Sequence, residues 1–146
     1  MGEFFSSSIL VTTIISWFIA QVIKVILVLL KSKKIDFRRF VGSGGMPSSH
    51  SSFVVSLAVS VGLTEGFTST LFAVTVVLAM VVMYDAAGVR RAAGQQAKIL
   101  NMLVEDWEKK DFTGTEKKLK ELLGHSPVEV FAGALLGIVI ALIRHL

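Results

Sequence analysis

The chain contains no cysteine, which excludes disulfides, thiol nucleophiles and thiolate metal sites and leaves the redox compartment unreadable. Proline is nearly absent as well, and both prolines, Pro47 and Pro127, stand where a polar stretch gives way to an apolar one. The amino terminus lacks the basic cluster of a secretory leader. Met1 to Ser8 carries only Glu3, and the apolar run that follows is too long for a leader's core, so the first span is expected to be retained. No internal repeat or low-complexity tract is present. Charge is missing from most of the chain: the 15 Lys and Arg and 11 Asp and Glu fall mostly within residues 31–39 and 90–121.

What remains is apolar. Hydrophobic residues make up 53% of 146 and mean hydropathy is +0.70, above the roughly 45–50% apolar content of soluble domains. Charge confined between long apolar runs is a membrane pattern. Because hydrocarbon offers the backbone no hydrogen-bond partner, spans must be helices of about 20 residues. The sequence therefore predicts one domain over residues 1–146, an all-α integral membrane bundle of about four transmembrane helices with amphipathic surface helices. The spans fall near 9–30, 51–67, 68–87 and 126–143, with polar loops at 31–49 and 88–125.

Within the first span Ser16, Gln21 and Lys24 are expected to face the bundle interior. The second is rich in small residues, which suits burial by protein. In the fourth, Gly133 and Gly137 have GxxxG spacing, which serves either packing within the chain or a homo-oligomer seam. The second loop alternates apolar and charged positions near helical period and reads as two surface helices split near Thr113-Gly114. Two spans separate the loops, so the loops share a face. The first carries Lys31, Lys33, Lys34, Arg38 and Arg39 and the second eight more cations, while the opposite face has only Arg144 outside the apolar runs. The positive-inside rule then predicts a multi-pass cell-membrane protein with both loops cytoplasmic. The partners expected are the bilayer and an anionic ligand, not nucleic acid.

The chemistry gathers where each loop meets a span. Pro47-Ser48-Ser49-His50 leads into the second, and proline favours a helix's first turn, so Pro47 is expected to start the helix. The amides of Ser48, Ser49 and His50 would then face an anion. His125-Ser126-Pro127-Val128-Glu129 opens the fourth span. His125 and Glu129 are four apart and share a helix face, where the carboxylate can hold one ring nitrogen and leave the other for nucleophilic or base chemistry. Ser126 and Glu129 also have capping-box spacing, a purely structural role. Lys24, within the first span, is expensive to bury unless it snorkels or binds something. Asp85 closes the third span, and Arg90 and Arg91 follow it within two turns, on the same side as the histidines. Two histidines at helix starts among cations describe a site for phosphate or a similar anion. The three histidines and scattered acids have no metal-ligand spacing, so neither metal nor cofactor is expected.

The run Pro47-Ser48-Ser49-His50, with His125 to Glu129 and the following Ala132-Gly133-Ala134-Leu135-Leu136-Gly137, resembles the phosphatidic acid phosphatase type 2 superfamily, related to vanadium haloperoxidases. The whole chain looks like its small divergent branch. That superfamily carries Lys-x6-Arg-Pro, Pro-Ser-Gly-His and Ser-Arg-x5-His-x3-Asp. Here Ser49 replaces the glycine of the second motif, Glu129 the final aspartate and Arg39 the proline after Lys31 and Arg38. The Ser-Arg pair is missing, with Leu119 six residues before His125. Arg90 or Arg91 would supply that guanidinium, with residues 92–120 as an insertion. The resemblance implies a lipid phosphate phosphatase in which His125 attacks phosphorus, Glu129 holds it and His50 protonates the leaving alkoxide. Lys24 or Lys31, Arg38, Arg90 or Arg91 and the amides of Ser48 and Ser49 would hold the phosphoryl oxygens. The rival expectations are a non-catalytic binder of anionic lipid or a partner, and a small transporter component using Lys24 and Asp85.

Overall fold

The structure is a computed structural model that describes residues 8–32, 45–108 and 124–145. They form five helices in chain order: α1 (Ser8–Ser32), α2 (Ser49–Glu65), α3 (Thr70–Ala87), α4 (Val89–Glu108) and α5 (Pro127–His145). The expected all-α membrane bundle is what forms.

Three helical stretches are long and apolar enough to cross a membrane: Ser8–Leu30, Thr70–Met102 and Pro127–His145. The second expected span, α2, has 17 residues, a rise of about 25 Å against a hydrocarbon core of about 30 Å. Its position explains why it is short and polar. Helix α2 is the central element, packed against α1, α3 and α5. Protein rather than lipid surrounds it, so lipid sets neither its length nor its polarity. Ser49, Ser51, Ser52, Ser56 and Ser60 are all buried.

The bundle is polar inside and apolar outside. On α1, Thr12, Thr13, Ser16, Ala20, Gln21 and Lys24 recur near helical period and are buried, while Ile14, Phe18, Ile26 and Leu27 on the other faces are exposed. The predicted inward orientation of Ser16, Gln21 and Lys24 is thus observed. Thr12 and Thr13 return their hydroxyls to the carbonyls of Ser8 and Ile9, each at 2.7 Å. Ser16 and Ser52 tie α1 to α2, with their hydroxyl oxygens 2.6 Å apart and each hydroxyl also near the other's backbone carbonyl.

Small residues set the closest approach. A Cβ added at Gly133 would lie 2.2 Å from the Ser48 carbonyl oxygen, and one at Gly137 would lie 2.6 Å from that of Ser52. Both glycines are therefore committed to packing within the chain, the first of the two uses open to them. Because Gly133 meets Ser48 and Gly137 meets Ser52, four residues along in both helices, α2 and α5 run parallel. Their amino termini emerge on one face.

Helix α3 passes into α4 across Gly88 alone. Gly88 N–H donates to the Tyr84 carbonyl at 2.9 Å and Ala92 N–H to the Gly88 carbonyl at 3.0 Å, so helical bonding continues through the junction. The loop expected to begin at 88 is therefore helix up to Glu108. The split expected near Thr113-Gly114, and the second surface helix, lie outside the described residues.

Candidate functional site

The site is built at the start of α2 and α5. Ser48, not Pro47, caps α2: its Oγ accepts the Ser51 N–H at 3.3 Å, and Pro47 stands outside the helix. The expected use of the Ser48 amide is corrected with it. That N–H donates to the Glu129 backbone carbonyl at 2.9 Å, binding the start of α2 to the first turn of α5. Ser48, Ser49 and Ser51 are buried.

At α5 both roles considered for Glu129 are filled by one oxygen. Glu129 Oε2 accepts the Ser126 N–H at 3.0 Å while the Glu129 N–H donates to Ser126 Oγ at 3.3 Å, completing a capping box. The same Oε2 lies 3.1 Å from His125 Nδ1. Pro127 follows the cap at the first helical position, where its missing N–H costs nothing. The His125 N–H donates to the Ala86 carbonyl at 3.1 Å, fixing the histidine to the end of α3. His125 is 2% exposed. With Nδ1 facing the carboxylate, Nε2 lies at the opposite edge of the ring.

His50, in the first turn of α2, faces it. The ring centroids are 6.0 Å apart and the planes meet at 65°, close enough for both imidazoles to touch one small tetrahedral group. Lys24 supplies a cation: it is 2% exposed, its stem packs against Gly45, and Glu129 acts on it electrostatically. Two parallel helix starts add their dipoles, each equivalent to roughly half a positive charge. An anion is the natural occupant.

Of the predicted site residues, the structure brings together Lys24, Ser48, Ser49, His50, His125 and Glu129. Lys31 lies in the last turn of α1, and Arg90 and Arg91 in the first turn of α4, but their side chains lie outside the described residues. Arg38 lies outside them altogether. Between the two candidate lysines, Lys24 is the one whose side chain is seen at the site. Three positioning features escaped the sequence: the Ala86 carbonyl, the Gly45 backbone against Lys24, and the Ser16–Ser52 tie. Only a small residue at Gly45 and Ala86 hinted at close approach. Among the described residues no group of three or more His, Asp or Glu gathers as a metal site.

Taken together, these features define an all-α membrane protein with a histidine-containing site at the shared amino-terminal ends of two parallel helices. The chain belongs to the Divergent PAP2 family, whose model matches residues 5–140. It is 48% identical over 134 residues, 85% of each chain, to "Uncharacterized membrane protein YuiD" of Bacillus subtilis (strain 168). No solved structure matches the chain.

Proposed function

We propose that this protein is a lipid phosphatase that removes a terminal phosphate from a membrane lipid through a phosphohistidine. The observation that carries the reading is His125: buried, held at Nδ1 by Glu129, and facing His50 across a site that favours anions. Family membership supports it.

In the proposed reaction His125 Nε2 attacks phosphorus, an N–P bond forms, and the P–O bond to the lipid breaks as His50 gives its proton to the departing oxygen. A lipid alcohol leaves. Water then attacks the phosphohistidine while His50 takes its proton, the N–P bond breaks, and inorganic phosphate and free His125 result. Lys24 and the amino-terminal ends of α2 and α5 stabilise charge on the equatorial oxygens. Lys31, Arg38, Arg90 and Arg91 are proposed as further phosphate ligands contributed from the basic segments.

The test is a panel of lipid phosphates, including phosphatidic acid, phosphatidylglycerophosphate and a polyprenyl pyrophosphate, presented to the purified protein in bilayer nanodiscs. Phosphate release, inhibited by vanadate as a mimic of the five-coordinate displacement, is the expected result. A second reading, an anionic-lipid binder without turnover, is favoured by the missing Ser-Arg pair before His125. Saturable lipid-phosphate binding with no release across the panel would establish it instead.

A further inference from the structure

Beneath the site, on the outer surface of the bundle, lies a groove of about 500 Å³ lined by Trp17 of α1, His50, Phe53 and Val54 of α2, and Val82 of α3. This falls within the roughly 300–1,000 Å³ of small-molecule sites. Three independent registers fix its place relative to the chemistry. On α2 the lining residues cover one turn starting at His50. On α1, Trp17 follows Ser16, whose hydroxyl meets Ser52. On α3, Val82 is one turn before Ala86, whose carbonyl holds His125. The groove therefore begins at His50 and descends one turn into the apolar part of the bundle.

Its lining is apolar except at one end. Val54 is buried, Trp17 and Phe53 form half-open rims, and His50 is the only ionisable group among them. His125 does not line it. The two histidines thus differ in surroundings: one faces a hydrocarbon-compatible channel and the other does not.

We propose that this groove holds the hydrocarbon chain of the lipid phosphate next to its ester oxygen, so that the lipid enters sideways from the bilayer between α1 and α3. This rests on the phosphatase reading and adds the substrate's route and selectivity. A chain lying there brings the bridging oxygen to His50 and turns phosphorus toward His125, the arrangement an in-line displacement needs. Selectivity then comes from hydrocarbon contact, and a soluble phosphate ester loses it.

Two measurements test the groove. In the first, Val82→Trp fills the groove without touching the proposed catalytic groups. Its kcat/KM on a long-chain lipid phosphate is expected to fall about tenfold or more, while that on p-nitrophenyl phosphate stays within about twofold. Equal loss on both overturns the proposal. In the second, which needs neither turnover nor a variant, a non-hydrolysable lipid phosphonate with a photoreactive group on its chain is cross-linked to the wild-type protein in nanodiscs. Labelling of the segments holding Trp17, Phe53 or Val82, competed by unlabelled lipid phosphonate and not by phosphatidylcholine, supports it. Equal competition by phosphatidylcholine, labelling elsewhere, or cross-linking of two copies through this face overturns it. Failure of every lipid to release phosphate, with the labelling intact, would sink the phosphatase reading and leave the groove as a lipid-binding site.

Discussion

At the residue scale the two histidines are distinguished by what holds them. His125 is fixed at both its N–H, by Ala86, and its Nδ1, by Glu129, the constraint a nucleophile needs. His50 lies at the mouth of an apolar groove, where a leaving group would depart. Their losses should differ accordingly. His125→Ala should abolish turnover of every substrate and trap no phosphoenzyme. His50→Ala should lose roughly 10²- to 10⁴-fold on a lipid monoester, the range of general acid catalysis. It should retain relatively more on p-nitrophenyl phosphate, whose phenol leaves unaided. Equal losses on both substrates would overturn the assignment. Lys24 permits a separate test because it is a cation buried within a span. Lys24→Met keeps the stem against Gly45 and removes the charge, and with it the desolvation cost of an ammonium within a span. Activity should fall by about 10²- to 10³-fold, as for loss of a preorganised electrostatic group, with melting temperature unchanged or raised. If Lys24 only filled space, activity would be unchanged.

At the element scale the site depends on two helix starts being capped, parallel and close. The Glu129 carboxylate caps α5 and holds His125 with one oxygen, and Glu129→Gln separates the roles. Glutamine still completes a capping box, so the thermal midpoint should move little. The positioned anion beside His125 is gone, so kcat should drop by about 10²- to 10⁴-fold. An unchanged kcat would leave Glu129 as a cap alone. Gly133 tests the closeness. A methyl group there meets the Ser48 carbonyl at 2.2 Å, and backbone cannot swing aside, so α2 and α5 must separate at the cap that precedes His50. Gly133→Ala should cost about 1–3 kcal/mol, as overpacking does, and activity should fall with it. Gly66→Ala is the control. Gly66 sits at φ 91° in the α2–α3 turn, with nothing within 4 Å of an added Cβ, and an alanine there costs a similar amount through backbone strain. The variant should lose stability but keep its kcat, since that turn lies at the far end of α2 from the site. Comparable kcat losses in both would mean that activity tracks stability only.

At the scale of the whole molecule, the order of helices places both basic segments on the site's side of the membrane. Helix α1 ends and α2 begins there; α3 ends and α5 begins there. The positive-inside rule predicts that this side is cytoplasmic. The absence of native cysteine makes the test clean: single cysteines at Ser32 and Thr113 should resist an impermeant thiol reagent in intact cells and react after permeabilisation. Labelling of one without the other would break the shared site, whereas labelling of both would only invert it.

The sequence by itself determined that the chain is helical and membrane-embedded. Apolar runs of span length and segregated charge follow from solvation alone, which acts residue by residue. The His125–Glu129 pairing expected from the sequence is present, but not on a shared helix face: His125 stands before the cap at Ser126, and the capping turn brings the Glu129 carboxylate back to its ring. The sequence's errors came where neighbours intervene. The small residues of α2 were read correctly as burial by protein, but not its place as the central helix, which packing against α1, α3 and α5 decides. Pro47 looked like a helix start but yields the cap to Ser48, since the Ser48 amide pairs with the Glu129 carbonyl. Directing the GxxxG inward and opening a groove at His50 were decided by tertiary structure alone. Each depends on which surfaces of separate helices meet, and sequence distance carries no record of that.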